Sequence, residues 1–219
     1  MSGFATARQK MVDGQVRPSD VTDFRIIDAM LAVPREAFVP PDQRAMAYLD
    51  LDLEFGGSPP RFLIKPAVLA KLLQAAQIGP TDNVLVAGGA TGYAASVVAQ
   101  LAGQVTATEA DPACAATARD VLATLGLSNL TFAATAAADG DPANAPFDVI
   151  VLDGATEVPP ERLYRQLKEG GRLVGVFAIS KPPRAIIVTH SHGDVGTRAL
   201  FDAAAPVIAG FEKLPAFVF

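Results

Sequence analysis

From Asn83 onward, short apolar runs alternate with stretches of helical periodicity. Asn83 to Gly88 reads as a strand, Thr91 to about Leu101 as a helix, Gln104 to Glu109 as a strand, and Asp111-Pro112 as the opening of another helix. The order continues with a strand from Leu130 to Ala134, a strand from Phe147 to Asp153, a helix around Pro160 to Leu167, and a strand from Arg172 to Phe177 after a Gly170-Gly171 stop. Runs of Val, Ile and Leu with little alternation suit strands buried on both faces, so the sheet is expected to be mostly parallel and covered by helices. The end of this region changes texture. Arg184 to Thr189, a turn through His192-Gly193-Asp194 and an extended run from Thr197 predict an antiparallel pair closing the sheet.

The first third is helical and irregular. Asp20 to Asp23 can cap a helix carrying Ile26, Ile27, Met30 and Leu31 on one face, which Pro34 ends. Leu53 to Lys65 is rich in Gly and Pro and reads as a loop of the kind that lies over a ligand. Pro66 then starts a helix on the apolar positions Val68, Leu69, Leu72 and Leu73. The seam falls near Gly79 to Asp82. The expected organisation is therefore one domain over 1–219, with a helical, substrate-side extension over 1–78 and an α/β core over 79–219.

Composition narrows the classes. The chain has 219 residues, half of them hydrophobic, which is enough for one substantial core. No stretch approaches the roughly 20 uninterrupted apolar residues of a membrane span, and the N-terminal residues do not read as a secretory signal. A soluble, cytoplasmic protein is expected, with no membrane partner. A net charge of −5 speaks against non-specific grip on nucleic acid. One cysteine, Cys114, and two histidines, His190 and His192, offer no zinc cluster, so no metal is expected. Cys114 is read as a small buried helix residue, and both histidines as structural parts of the terminal hairpin. Phe211, Phe217 and Phe219 are expected to bury against the sheet.

In a wound parallel sheet, ligands sit beyond the carboxyl ends of the strands. The first such turn is Gly88-Gly89-Ala90-Thr91-Gly92-Tyr93. Glycines there allow a sharp strand-to-helix turn and close approach of the backbone to a ligand. The second strand ends in Glu109, where an acidic side chain accepts hydrogen bonds from ribose hydroxyls. The fourth ends in Asp153, which can face a ligand or cap the following turn. Nicotinamide and S-adenosyl-L-methionine (AdoMet) enzymes share a Gly-rich turn and an acidic strand end. The dinucleotide fingerprint, however, is not spelled here: counted from Gly88, the third position is Ala90 and the sixth is Tyr93.

Val84 to Tyr93, Glu109, Pro146 to Asp148 and Leu167 to Val174 occur in the order and spacing of AdoMet methyltransferases. Met11 to Val16, Ala29 to Pro40, Ala47-Tyr48 and Ile64 to Pro66 narrow the resemblance to the protein-L-isoaspartate O-methyltransferases. It covers nearly the whole chain. It implies a Rossmann-like AdoMet-methyltransferase fold and transfer of a methyl group from AdoMet to the α-carboxyl of an L-isoaspartyl residue in a damaged protein. It also implies cofactor contacts at Gly88, Gly89, Ala90, Gly92, Glu109, Ala136 and Asp153, and substrate contacts at Ile64 and Lys65.

Such transfer needs little acid or base help, because a carboxylate is already a nucleophile and a sulfonium a good leaving group; positioning supplies most of the rate. No catalytic acid or base is therefore assigned. Four positions depart from the family pattern. Val86 replaces an acidic residue, Ala90 the second glycine of Gly-x-Gly, Ile64 a serine or threonine, and Ala136 the acidic residue of Gly-Asp-Gly. Asp139 or Asp141 stands close enough in sequence to substitute for the last. These changes keep open a second reading, a member that binds or scaffolds without transferring methyl groups.

Overall fold

The computed structural model describes residues 3–214. The N-terminal part comprises α1 (Gly3–Met11), two short turns of helix, and α2 (Phe24–Ala32), whose N-cap Asp23 accepts from the Arg25 amide. As expected, α2 buries Ile26, Ile27 and Met30. Two 3-10 segments follow, Arg35–Phe38 and Pro41–Met46. The segment read as a loop contains a small antiparallel ribbon, β1 (Leu53–Phe55) with β2 (Arg61–Leu63). Three paired residues per strand are too few to show as alternation in a sequence. Pro66 opens α3 (Pro66–Ala76), which buries Leu69, Leu72 and Leu73.

The core consists of β3 (Asn83–Ala87), α4 (Tyr93–Ala99), β4 (Gln104–Thr108), α5 (Pro112–Leu125), β5 (Leu130–Ala133), β6 (Phe147–Thr156), α6 (Glu161–Tyr164), β7 (Leu167–Phe177), β8 (Arg184–Ser191) and β9 (Asp194–Asp202). They build a seven-stranded sheet in the order β5-β4-β3-β6-β7-β8-β9, parallel as far as β7 and antiparallel over the last two strands. The expected architecture is present, with boundaries that differ where backbone specials intervene. α6 is a single turn rather than the helix expected from Pro160 to Leu167, because β7 starts at Leu167 to pair with Phe147. Gly170 then falls inside the strand, in the stretch where the β6 to β7 register shifts. α4 starts two residues later than expected, since Ala90 and Gly92 have positive φ and belong to the turn. The β8 to β9 hairpin turns on His192 and Gly193, both at positive φ, the pattern of a tight two-residue hairpin turn.

The amino-terminal elements share a core with the sheet: one apolar cluster runs from Met11, Ile27 and Met30 through Leu69 and Leu73 to Val86, Val97, Val151 and Ile187. The buried guanidinium of Arg35, 1% exposed, ties the extension together, donating from Nε to the Ala47 carbonyl at 2.7 Å and from Nη2 to the Ile64 carbonyl at 2.9 Å. Arg172 does the same at the seam, reaching the Ala76 carbonyl, the Gln77 carbonyl at 2.7 Å and Asp82 at 3.0 Å. Cys114 is half-buried rather than buried, because α5 turns only Ala115, Ala118 and Leu122 fully inward. Phe211 packs inside a second cluster with Ala137, Phe147 and Leu163, while Phe217 and Phe219 lie outside the described residues. Among the described residues no helix is long and apolar enough to cross a membrane.

Packing between β6 and β7 is tight enough to test. A Cβ added at Gly175 in β7 would stand 2.7 Å from the Leu152 Cβ and 2.8 Å from its Cδ1. Gly175→Ala is expected to lower stability by about 1–3 kcal/mol, read as a lower urea midpoint at unchanged slope; an unchanged midpoint would show that β6 and β7 separate freely.

Candidate active site

The carboxyl ends of β3, β4 and β6 open onto one cavity of about 150 Å³. Gly88, Ala90, Thr108, Glu109, Ala136, Ala137 and Asp153 contribute to its walls, joined from one side by Pro59 to Phe62 of the ribbon and from the other by Pro206 to Ala209. Five of the seven expected cofactor positions are thus gathered: Gly88, Ala90, Glu109, Ala136 and Asp153. Gly89 and Gly92 stand behind the wall. Cβ atoms there would meet Ala107 and Phe132 at 3.0 Å, so these two glycines serve helix and strand packing. Ile64 is buried and Lys65 flanks it, its amide held by Asp52 at 2.9 Å; neither lines the cavity. Asp139 pairs with Arg162, and Asp141 holds Asn144 at 2.6 Å, so neither of these acids faces the cavity either.

The turn is built as its composition suggests, with one cost. Gly88 has φ 82° and its amide donates to the Thr108 hydroxyl at 3.1 Å. Ala90 takes φ 47°, a left-handed conformation that a glycine adopts freely and an L-residue enters at a cost of about 1 kcal/mol. The turn is braced by Thr91, which donates to the Phe38 carbonyl at 2.6 Å, and by the edge-on contact of Phe38 with Tyr93, 5.7 Å between centroids. The 3-10 segment Arg35–Phe38 therefore sits directly on the turn.

Glu109 is 4% exposed and its carboxylate is fully engaged on one side. Arg61 Nη2 donates to Oε1 at 2.6 Å and Arg61 Nε to Oε2 at 3.0 Å, while the Asp111 amide adds a third bond at 2.7 Å. A two-pronged guanidinium contact of this kind occupies the same lone pairs that a ribose diol would use. Arg61 was not legible as a site residue, since 48 residues separate it from Glu109. The opposite wall was equally hidden. Ile208 lies against Gly88 and Gly154, where added Cβ atoms would meet it at 2.8 and 2.7 Å, and the segment is fastened by Ala155 through bonds of 2.7 Å to Pro206 and 2.9 Å from Ile208.

Asp153 is aimed by an irregularity in β6. The register with β7 shifts between Val151 and Ala155, and a bulge of this kind re-aims a side chain. The residue is 6% exposed, and burial pushes its carboxyl up to about 7, opposed by the charge of Arg35. Behind it, the Arg35 guanidinium stands 4.7 Å over the Tyr93 ring.

The cavity presents a carboxylate at Glu109, backbone at Gly88 and Ala90, and apolar surface at Ala136, Ala137 and Ile208. A wound sheet with this turn and acidic strand end suits nicotinamide and AdoMet enzymes alike, and similarity to known proteins assigns it to the AdoMet-dependent methyltransferases. A family model described as Protein-L-isoaspartate(D-aspartate) O-methyltransferase (PCMT) matches residues 6–190. A Koribacter versatilis protein-L-isoaspartate O-methyltransferase is 39% identical over 80% of this chain and 78% of its own. One from Rhodopseudomonas palustris (strain HaA2), protein-L-isoaspartate O-methyltransferase 1, is 38% identical over 96% and 86%. Among solved structures, a protein-L-isoaspartate O-methyltransferase superposes with TM-score 0.80 at 24% identity, covering 93% of this chain and 66% of that one. A Plasmodium falciparum PCMT in complex with S-adenosyl-L-homocysteine gives 0.77 at 15%, covering 95% and 99%. The chain belongs to the protein-L-isoaspartate O-methyltransferase family, whose cofactor is AdoMet.

The raised Asp153 carboxyl has a stability consequence. An unfolded aspartate titrates near 3.9, so the folded chain binds this proton more tightly, and stability is lost as pH rises from about 4 through about 7. Asp153→Asn keeps the shape without the buried charge. At pH 8 it is expected to be more stable than the wild type by about 1–3 kcal/mol, a gap that closes toward pH 4.5 in thermal melts; a gap independent of pH would mean that Asp153 does not titrate differently on unfolding.

Proposed function

We propose that this chain transfers the methyl group of AdoMet to the α-carboxylate of isoaspartyl residues in proteins or peptides. Family membership supports the reaction, and the observation that carries it to this chain is the gathering of Gly88, Glu109 and Asp153 around one cavity at the carboxyl ends of adjacent strands.

When bound, AdoMet supplies an electrophilic methyl group on a sulfonium. The protein's share is to hold and to exclude. Gly88 and Ala90 bring backbone to the ligand, Glu109 takes the ribose hydroxyls once Arg61 lets go, and Ala136, Ala137 and Ile208 face the base with apolar surface. The ribbon and the 206–209 segment cover the cavity from both sides and keep water from the methyl group. Ordering of this kind, rather than proton transfer, supplies the rate for a carboxylate nucleophile. Ala136 brings no acceptor to the cavity wall, so affinity for the cofactor rests chiefly on Glu109.

Calorimetric titration with AdoMet and S-adenosylhomocysteine, followed by transfer of labelled methyl to an isoaspartyl peptide, tests the reading. Micromolar binding and base-labile methyl ester are expected. Glu109→Ala is expected to weaken binding of either ligand by about 10-fold or more, the equivalent of about 1.4 kcal/mol. Absence of binding at millimolar ligand would remove the enzyme and leave a binding protein on an inherited fold.

A further inference from the structure

Among the described residues, three polar atoms sealed from solvent beside the cavity make no well-formed hydrogen bond: Asp153 Oδ2, and Arg35 Nη1 and the Tyr93 hydroxyl, whose side chains face each other. Buried polar groups are almost always paired, and a cluster left incomplete marks a place that a bound group completes or polarises. Arg35 comes from the 3-10 segment Arg35–Phe38, Tyr93 from the first turn of α4, and Asp153 from the bulge of β6. Three distant parts of the chain thus converge at Asp153, which also lines the cavity.

The strand order says what that end faces. β3 lies between β4 and β6, so Glu109 and Asp153 flank the Gly88 turn on opposite sides. A ligand whose ribose is taken by Glu109 and whose chain crosses the turn presents its far end on the Asp153 side. On that side the polar side chain lining the cavity is Asp153, with Arg35 behind it, itself anchored on the Ile64 carbonyl at 2.9 Å.

Resting on the methyltransferase reading above, we propose that Asp153 is the acceptor-facing residue of this chain: as a carboxylic acid it donates a hydrogen bond to the acceptor carboxylate, with Arg35 and Tyr93 as positioning residues behind it. The proton stays on Asp153 and no bond is broken in this contact. It makes acceptor binding depend on pH. Burial places the Asp153 carboxyl at about 7, so the proton is present in mildly acidic solution and lost above neutrality, where two carboxylates would oppose each other. The charged and titratable groups around it are Arg35 and Tyr93, with the mutually paired Glu109 and Arg61 across the cavity. His190 and His192 stand at the far end of β8, near the amino ends of the parallel strands.

The test is the affinity of an N-acetylated isoaspartyl peptide for the protein saturated with S-adenosylhomocysteine, measured by calorimetry near pH 6 and pH 8.5. The peptide carboxylate is ionised at both, since α-carboxyl groups titrate at about 3.5. The wild type is expected to bind about 10- to 30-fold more weakly at the higher pH, as the protonated fraction of Asp153 falls. Asp153→Asn, a permanent neutral donor, is expected to bind equally at both. Wild-type affinity independent of pH overturns the proposal without any variant, and so does an Asp153→Asn protein that keeps the wild-type pH dependence. Loss of S-adenosylhomocysteine affinity in Asp153→Asn would return the residue to the cofactor and also overturn it. If the peptide binds at neither pH while S-adenosylhomocysteine binds normally, the isoaspartyl acceptor itself is wrong; pH-independent binding defeats only the role of Asp153.

Discussion

A guanidinium sealed inside an apolar extension is a severe constraint, and Arg35 is where the site of this protein is tied together. Burial pushes its charge toward the neutral form, against the stabilising presence of Tyr93 and Asp153. It repays that placement by taking two carbonyls, those of Ala47 and Ile64, which would otherwise be buried acceptors without partners. Because Arg35 also lies over Tyr93, the position of the extension and the position of the glycine turn cannot vary independently. Replacing it with an apolar residue would strand both carbonyls, and replacing it with lysine would lose the planar fork that spans them.

The two long-range closures of the cavity have different characters. On the ribbon side an ion pair does the closing, Arg61 on Glu109, with both partners mostly withdrawn from water. On the opposite side the closure is apolar and backbone-based, Ile208 on two glycines and a short stretch of parallel pairing at Ala155. A diol can compete for the first by offering the same hydrogen bonds. It has nothing to offer the second. Entry of a ligand is therefore expected to displace the Arg61 side chain in preference to the segment at 206–209.

Much of the sheet was legible because parallel strands buried on both faces leave unmistakable apolar runs, and the positions at their carboxyl ends follow by counting. Gly88, Glu109 and Asp153 come from that rule alone. The same turn gave a mixed outcome, since Ala90 lines the cavity whereas Gly89 and Gly92 serve packing; of the positions placed by resemblance, Ala136 lines the cavity and Ile64 is buried away from it. Arg35, Arg61 and Ile208 left no periodic trace, since each acts on a partner far along the chain. A lone arginine between Pro34 and Glu36 in an otherwise apolar run was the one available hint. Burying such a residue demands acceptors, and the sequence does not say where those acceptors are.

The wall formed by Pro206 to Ala209 carries a consequence for biosynthesis. During translation, β3, β4 and β6, with Gly88, Glu109 and Asp153 at their ends, leave the ribosome well before this segment does, and the sheet can assemble through β9 while one side of the cavity still lacks its cover. A nascent chain halted there would own the acidic and glycine contacts yet have no apolar lid against solvent. Competence to hold a nucleoside arrives late in synthesis, after the hairpin has docked and Ile208 has reached Gly88 and Gly154.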